Sequence, residues 1–135
     1  IIHCREAHND TIEMLEEKME KYGKKLRGVV HCFSGRLSQA RIYTEKFGFY
    51  LGLNGIITFD RSYDKVLQEI DPKYFLVETD CPYLTPVPFR GKRNEPSYVG
   101  YVAKRIAEVK NMSVREIEKI TTENAKRLFN LGVRR

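Results

Sequence analysis

The sequence predicts an α/β protein of four consecutive strand–helix units in a single domain over residues 1–135, half the complement of an eight-stranded parallel barrel. Three observations predict it. Short apolar runs alternate with longer stretches of helical periodicity, the pattern of βα units and a parallel sheet. Three of the four runs end in a residue able to bind a metal, namely His3, His31 and Asp80. In a parallel barrel all strand ends of one polarity share the rim where such barrels build their active sites. No glycine-rich phosphate loop follows any of the runs, which disfavours a complete doubly wound sheet.

Taken in order, Ile1-Ile2-His3 is the tail of a strand. It opens without Met, so further sequence is expected before it. Asn9 to Tyr22 is a helix with Ile12, Leu15 and Met19 on one face, stopped by Gly23. Val29-Val30-His31 is the second strand, ending at Ser34-Gly35. Ser38 is placed to cap the next helix, whose apolar face is Ala40, Tyr43 and Phe47. Phe49 to Leu53 is the third strand. Tyr63, Val66, Leu67 and Ile70 mark a helix that Asp71-Pro72 ends. Phe75 to Asp80 is the fourth strand, followed by a proline-rich segment to Pro96. A helix from Ser97 to Lys110 turns Val99, Val102, Ile106 and Val109 inward. A last helix starts with the capping box Ser113/Glu116, breaks near Thr121-Thr122, and stops at Leu131-Gly132.

Composition narrows the function classes. Hydrophobic residues make up 41% and charged residues 31%, ordinary for a globular chain and against disorder. No apolar run approaches the ~20 residues of a membrane helix, and no signal-like pattern opens the chain. A net charge of +6 favours a polyanionic partner. Three cysteines without CxxC spacing imply neither a disulfide framework nor a structural zinc site, and point to a reducing, cytoplasmic setting.

Imidazole and carboxylate at equivalent strand ends suit catalytic divalent metals. Side chains at i and i+2 share a face, so Glu78 points where Asp80 points. Glu78 is read as a buried acid paired with a nearby cation, as support behind a metal ligand, or as a proton shuttle. Cys4, Cys32 and Cys81 each follow a ligand candidate by one residue and are expected to face the helix layer as small buried hydrophobes. His8, beside Asn9 and Asp10, reads as a solvated polar residue. Arg5 lies at the rim, equally placed to meet a phosphate or to pair with Glu6 or Glu78. Ser34 offers a phosphate hydrogen bond. The loop from Pro86 to Pro96 carries Arg90, Lys92 and Arg93 beside Tyr83 and Phe89, a set suited to phosphates and stacked bases.

The segments IIHCREAH, GVVHCFSG, FYLGLNGIITF, FLVETDCPYLTPVPFRGKRNEPSYV and ITTENAKRLF closely resemble the TatD family of metal-dependent deoxyribonucleases, in order and over nearly the whole chain. The resemblance implies an amidohydrolase-like TIM barrel, one or two divalent ions (Mg, Mn or Zn), and exonucleolytic or endonucleolytic hydrolysis of DNA. It matches His3 and His31 to the family's metal-binding histidines on strands five and six. Asp80 matches the strand-eight aspartate, which binds metal and helps activate water. The family's His-x-His pair on strand one and its intermediate glutamate have no counterpart here, so the chain reads as the C-terminal half of the barrel. The expected function is hydrolysis of DNA phosphodiester bonds, with Asp80 catalytic and Arg5, Ser34, Arg90 and Arg93 on the substrate. The rivals are an amidohydrolase acting on a small C–N substrate and an inactive half barrel. DNA is the expected partner, with no membrane, and the exposed edges of half a barrel are expected to drive self-association.

Overall fold

The computed structural model describes residues 1–132. Four parallel strands pair in sequence order: β1 (Ile2–His3), β2 (Val29–His31), β3 (Tyr50–Leu53) and β4 (Phe75–Val77). Each is followed by helix, so every crossover brings the chain back to start the next strand at the same end. The consequence for function is direct. His3 pairs in register with His31, and the segments after β1, β2, β3 and β4 all emerge on one rim.

The register separates two faces. Val30, Leu51, Leu53 and Phe75 share one face and enter the main core beneath the helices. Val29, Tyr50 and Leu76 occupy the other face, where Leu128 joins them in a second, smaller cluster. His31, Gly52 and Glu78 continue this second face toward the rim, as period-2 alternation requires.

The helix layer contains α1 (His8–Tyr22), α2 (Leu37–Arg41), α3 (Asp64–Glu69), α4 (Val99–Lys110) and α5 (Val114–Phe129). Helix α1 ends at Gly23, whose positive φ of 53° suits glycine. Ser38 is not the cap of α2. Arg36 holds that position, and its N–H donates to the Gln39 side chain (2.8 Å), so the glutamine satisfies the free amide instead. Helix α2 continues as a π-helical turn over Ile42–Lys46, which buries Tyr43 and Thr44. A 3-10 turn over Arg61–Tyr63, capped by Asp60, precedes α3 and takes up the start of the predicted third helix.

Strand β4 ends at Val77 rather than Asp80, and β3 starts at Tyr50 rather than Phe49. The predicted break at Thr121-Thr122 does not occur: α5 is continuous, and the buried Thr121 hydroxyl is satisfied within it by donating to the Ile117 carbonyl (2.9 Å). Asn124, also buried, donates to the Pro72 and Phe75 carbonyls (3.0 and 2.9 Å), fastening α5 beside β4. The capping box of Ser113 and Glu116 forms as expected, while the helix ends at left-handed Asn130 rather than at Leu131-Gly132. Among the described residues no helix is long and apolar enough to cross a membrane.

Candidate active site

At the end of β2, His31 Nδ1 lies 2.8 Å from Glu78 Oε1, and the Cys32 amide donates to the same oxygen (2.6 Å). The carboxylate can only accept, so it fixes the proton on Nδ1. Nε2 is then left with its lone pair, and it faces Asp80 Oδ1 at 3.5 Å. Two acceptors turned toward each other at this distance suit a cation between them. The His3 ring stands 6.0 Å from that of His31, centroid to centroid. Donor chemistry therefore fits a divalent metal at the His31–Asp80 pair, with Glu78 orienting the imidazole from behind. The number of donors falls short: among the described residues no group of three His, Cys, Asp or Glu side chains is arranged to hold an ion.

Glycine at position 52 makes this arrangement possible. A Cβ there would run directly into the Glu78 carboxylate, so the third strand must be bare where the fourth sends its acid across toward His31. Of the three readings of Glu78, pairing behind His31 is the one the geometry displays.

The remaining expectations divide. Cys4 is buried as expected, but Cys32 is only half-buried and Cys81 is exposed. Cys32 takes a positive φ of 48°, and the chain leaves β4 before Cys81, so strand alternation governs neither thiol. Burial nonetheless pushes the Cys32 thiol up. Arg5 is exposed and does not pair with Glu78, whose near oxygen is taken by His31 and Cys32. Ser34 is exposed just past His31. Arg90 lies 3.9 Å over the Phe59 ring and donates to the Thr85 carbonyl (3.1 Å), so it braces the loop. Phe89 stacks on Tyr98 (4.5 Å) and meets Tyr101 edge-on, which removes it from base stacking. Tyr83, at 71% exposure, stays free for that role, and Lys92 and Arg93 are exposed. The loop is shaped by Asn94, buried and donating to the Tyr83 carbonyl (2.6 Å), and by Thr85 donating to Lys92 (2.6 Å).

His8 is the residue that the sequence reading misplaced. It is 6% exposed, with Nδ1 3.1 Å from the Tyr43 hydroxyl and Nε2 3.3 Å from Ser34 Oγ. The signal was present in the spacing, since His8 stands one turn before Ile12 on the stripe that runs on to Leu15 and Met19.

A parallel sheet layered with helices, with histidine and carboxylate gathered on one rim, defines the chain as an α/β protein with a βα-unit architecture. The family model for TatD related DNases matches residues 1–130, and the chain belongs to that family. It is 52% identical over 135 residues to the uncharacterized metal-dependent hydrolase YabD of Bacillus subtilis strain 168, covering 98% of this chain and 51% of that protein. It is 39% identical over 138 residues to the uncharacterized metal-dependent hydrolase YcfH of Escherichia coli K12, covering 100% of this chain and 50% of that one. Among solved structures it resembles YJJV, a TatD homolog of Escherichia coli K12, with a TM-score of 0.83 and 29% identity over 96% of this chain and 49% of that one. A TatD family hydrolase of Entamoeba histolytica shares the fold at a TM-score of 0.77 and 24% identity, over 93% and 48% of the two chains. The chain spans about half the length of the curated relatives it matches.

Proposed function

We propose that these residues form the C-terminal half of a (β/α)-barrel, a single domain over residues 1–135, that hydrolyses DNA phosphodiester bonds with one or two divalent ions. The observation that carries this reading is the clamped His31. Glu78 holds its Nδ1 proton, and its Nε2 lone pair confronts the Asp80 carboxylate at 3.5 Å, an arrangement that suits a cation between them. Residues His3, His31 and Asp80 are this half's contribution to the ion, and Glu78 sets the His31 ring. An ion of this kind supplies Lewis acidity toward a phosphoryl oxygen and lowers the pKa of a water it binds. Asp80 orients the attacking water and receives its proton. Arg5, Ser34 and Arg93 hold phosphate on the rim, with Arg90 stiffening the loop that carries Arg93.

Support for the half-barrel reading comes from the sheet itself. Strands β1 and β4 each pair on one side only among the described residues. Beside β4, an apolar concavity of about 480 Å³ lined by Ile1, Val29, Leu76, Ala125 and Phe129 lies open. Further strands, or another copy of the chain, would cover both. DNA fits the charge of +6, and three unpaired cysteines fit a reducing cytoplasm.

The test is Asp80→Asn, which keeps shape and loses charge and basicity. In a polypeptide completed to the length of its relatives, metal-dependent cleavage of DNA is expected to fall by roughly 10²–10⁴-fold, with the melting temperature held or raised. An early-melting variant that still cuts at the normal rate would remove Asp80 from the site.

A further inference from the structure

We propose that His8, tied to Tyr43, is a positioning residue that turns the Ser34 hydroxyl proton into the rim groove, making Ser34 a donor to a phosphodiester oxyanion. The inference rests on the nucleic-acid reading of the rim and deepens it.

Tyr43 is fully buried, and desolvation pushes its hydroxyl up to about 12, so it remains a phenol. Its oxygen lies 3.1 Å from His8 Nδ1 and within donating reach of the His8 carbonyl (3.4 Å), and its single proton is assigned to the shorter contact, with Nδ1 accepting. Burial also lowers the His8 pKa, which keeps the ring neutral with a single proton. With Nδ1 accepting, that proton sits on Nε2 and is donated to Ser34 Oγ at 3.3 Å. Oγ is thereby anchored as an acceptor, and its own O–H is free on an exposed residue.

The groove that receives it is built from the segments that follow β1 and β2, and Ser34, Arg36, Asn9 and Gln39 line it. Gln39 donates to Asn9 Oδ1 (2.8 Å), and Ser34 and Arg36 are among the donors open to an incoming anion, with the Asn9 amide and the Ser38 hydroxyl beside them. Glu6 and Asp10 also line the groove. Their charge disfavours a doubly ionised phosphate and admits the single charge of a diester. The ligand class is therefore the nucleic-acid backbone rather than free phosphate.

The test has two arms on the full chain. Long-range ¹H–¹⁵N correlation of the imidazole reads the His8 tautomer directly, and the Nε2–H form is expected. The Nδ1–H form would overturn the positioning role alone, leaving the rim reading untouched. In the second arm, binding of a short single-stranded oligothymidylate is measured beside inorganic phosphate. Ser34→Ala is expected to weaken oligothymidylate binding roughly tenfold, the loss of one hydrogen bond to a charged group. Tyr43→Phe, which removes only the hydroxyl that selects the tautomer, is expected to weaken it several-fold. His8→Gln, which keeps an N–H near the Nε2 position, is expected to rescue what His8→Ala loses. Inorganic phosphate is expected to bind more weakly than the oligonucleotide and to respond little. If Ser34→Ala weakens binding while Tyr43→Phe and His8→Ala do not, His8 has no positioning role. If the tautomer is as expected but the unaltered chain binds no oligothymidylate, the nucleic-acid reading fails and the ligand assigned here fails with it.

Discussion

Glu78 reaches across the bare backbone of Gly52 to place one carboxylate oxygen 2.8 Å from His31 Nδ1 and 2.6 Å from the Cys32 amide. One acid from the end of β4 thus sets both the tautomer of the β2 histidine and the course of the chain just past it. The pair behaves as a carboxylate–histidine unit whose free nitrogen is aimed at Asp80.

The first prediction follows from that unit. Glu78→Gln retains an oxygen for the Cys32 amide but loses the negative charge held behind His31. Divalent-metal affinity, followed by calorimetric titration with Zn²⁺ or Mn²⁺, is expected to fall roughly 10–100-fold. The far-ultraviolet dichroism should stay the same. Unaltered metal affinity would reduce the pair to a structural contact.

Gly52→Ala tests the same geometry from the other side. The added methyl meets the Glu78 carboxylate, with Leu51 and Leu53 fully buried on either side in a strand paired to both neighbours. The variant is expected to lose about 1–3 kcal/mol in urea unfolding, as an overpacked interior does. It should also lose metal affinity, because the acid is displaced from His31. A variant that loses stability and keeps full affinity would separate Gly52 from the site.

The pH dependence of stability isolates His8. Its pKa is lowered in the folded chain from 6.5, so the unfolded chain takes up the proton first as the solution is acidified. Neutral His8 therefore contributes stability in full above about pH 6.5. That contribution is lost as pH falls through this value toward the folded pKa. Denaturant midpoints measured from pH 7.5 down to pH 5 should drop less steeply in His8→Gln than in the unaltered chain. Parallel curves would show that the buried ring does not titrate against folding.

The two loop arginines are expected to part company. Arg93 is exposed, and its replacement by Ala should lower the salt-dependence slope of DNA binding by roughly one, uniformly across sequences. Arg90 is spent on Phe59 and the Thr85 carbonyl, so Arg90→Ala should loosen the loop and change the slope little. Measuring binding constants at several salt concentrations for both variants decides the matter. Equal slope changes would return Arg90 to the phosphate-binding set.

Much of this molecule was legible in its sequence because periodicity records burial. The alternation of apolar runs with helical stripes gave four strand–helix units in the right order, and it set His3 and His31 at strand ends on one rim, with Asp80 three residues beyond the end of its strand. These are local properties: a strand buried on one face, or a helix with one apolar stripe, must repeat at its own period whatever surrounds it. The Ser113/Glu116 box and the Gly23 stop are local in the same sense.

What only the tertiary structure decided concerns polar atoms whose partners lie far along the chain. Glu78 had three open roles until the fold brought it to His31, 47 residues earlier. His8 read as solvated because its neighbours Asn9 and Asp10 are polar, yet Tyr43, 35 residues on, covers it. Asn124 drew no assignment from its sequence, and in the fold its amide meets the Pro72 and Phe75 carbonyls. Arg90 seemed free for phosphate until Phe59 was placed beneath it. A hydrogen bond or a stacked ring leaves no periodic trace, since it needs one partner at one distance, and the chain supplies that partner only by folding. The apolar pattern determined where the layers lie, and the layers then determined which buried polar groups could satisfy one another.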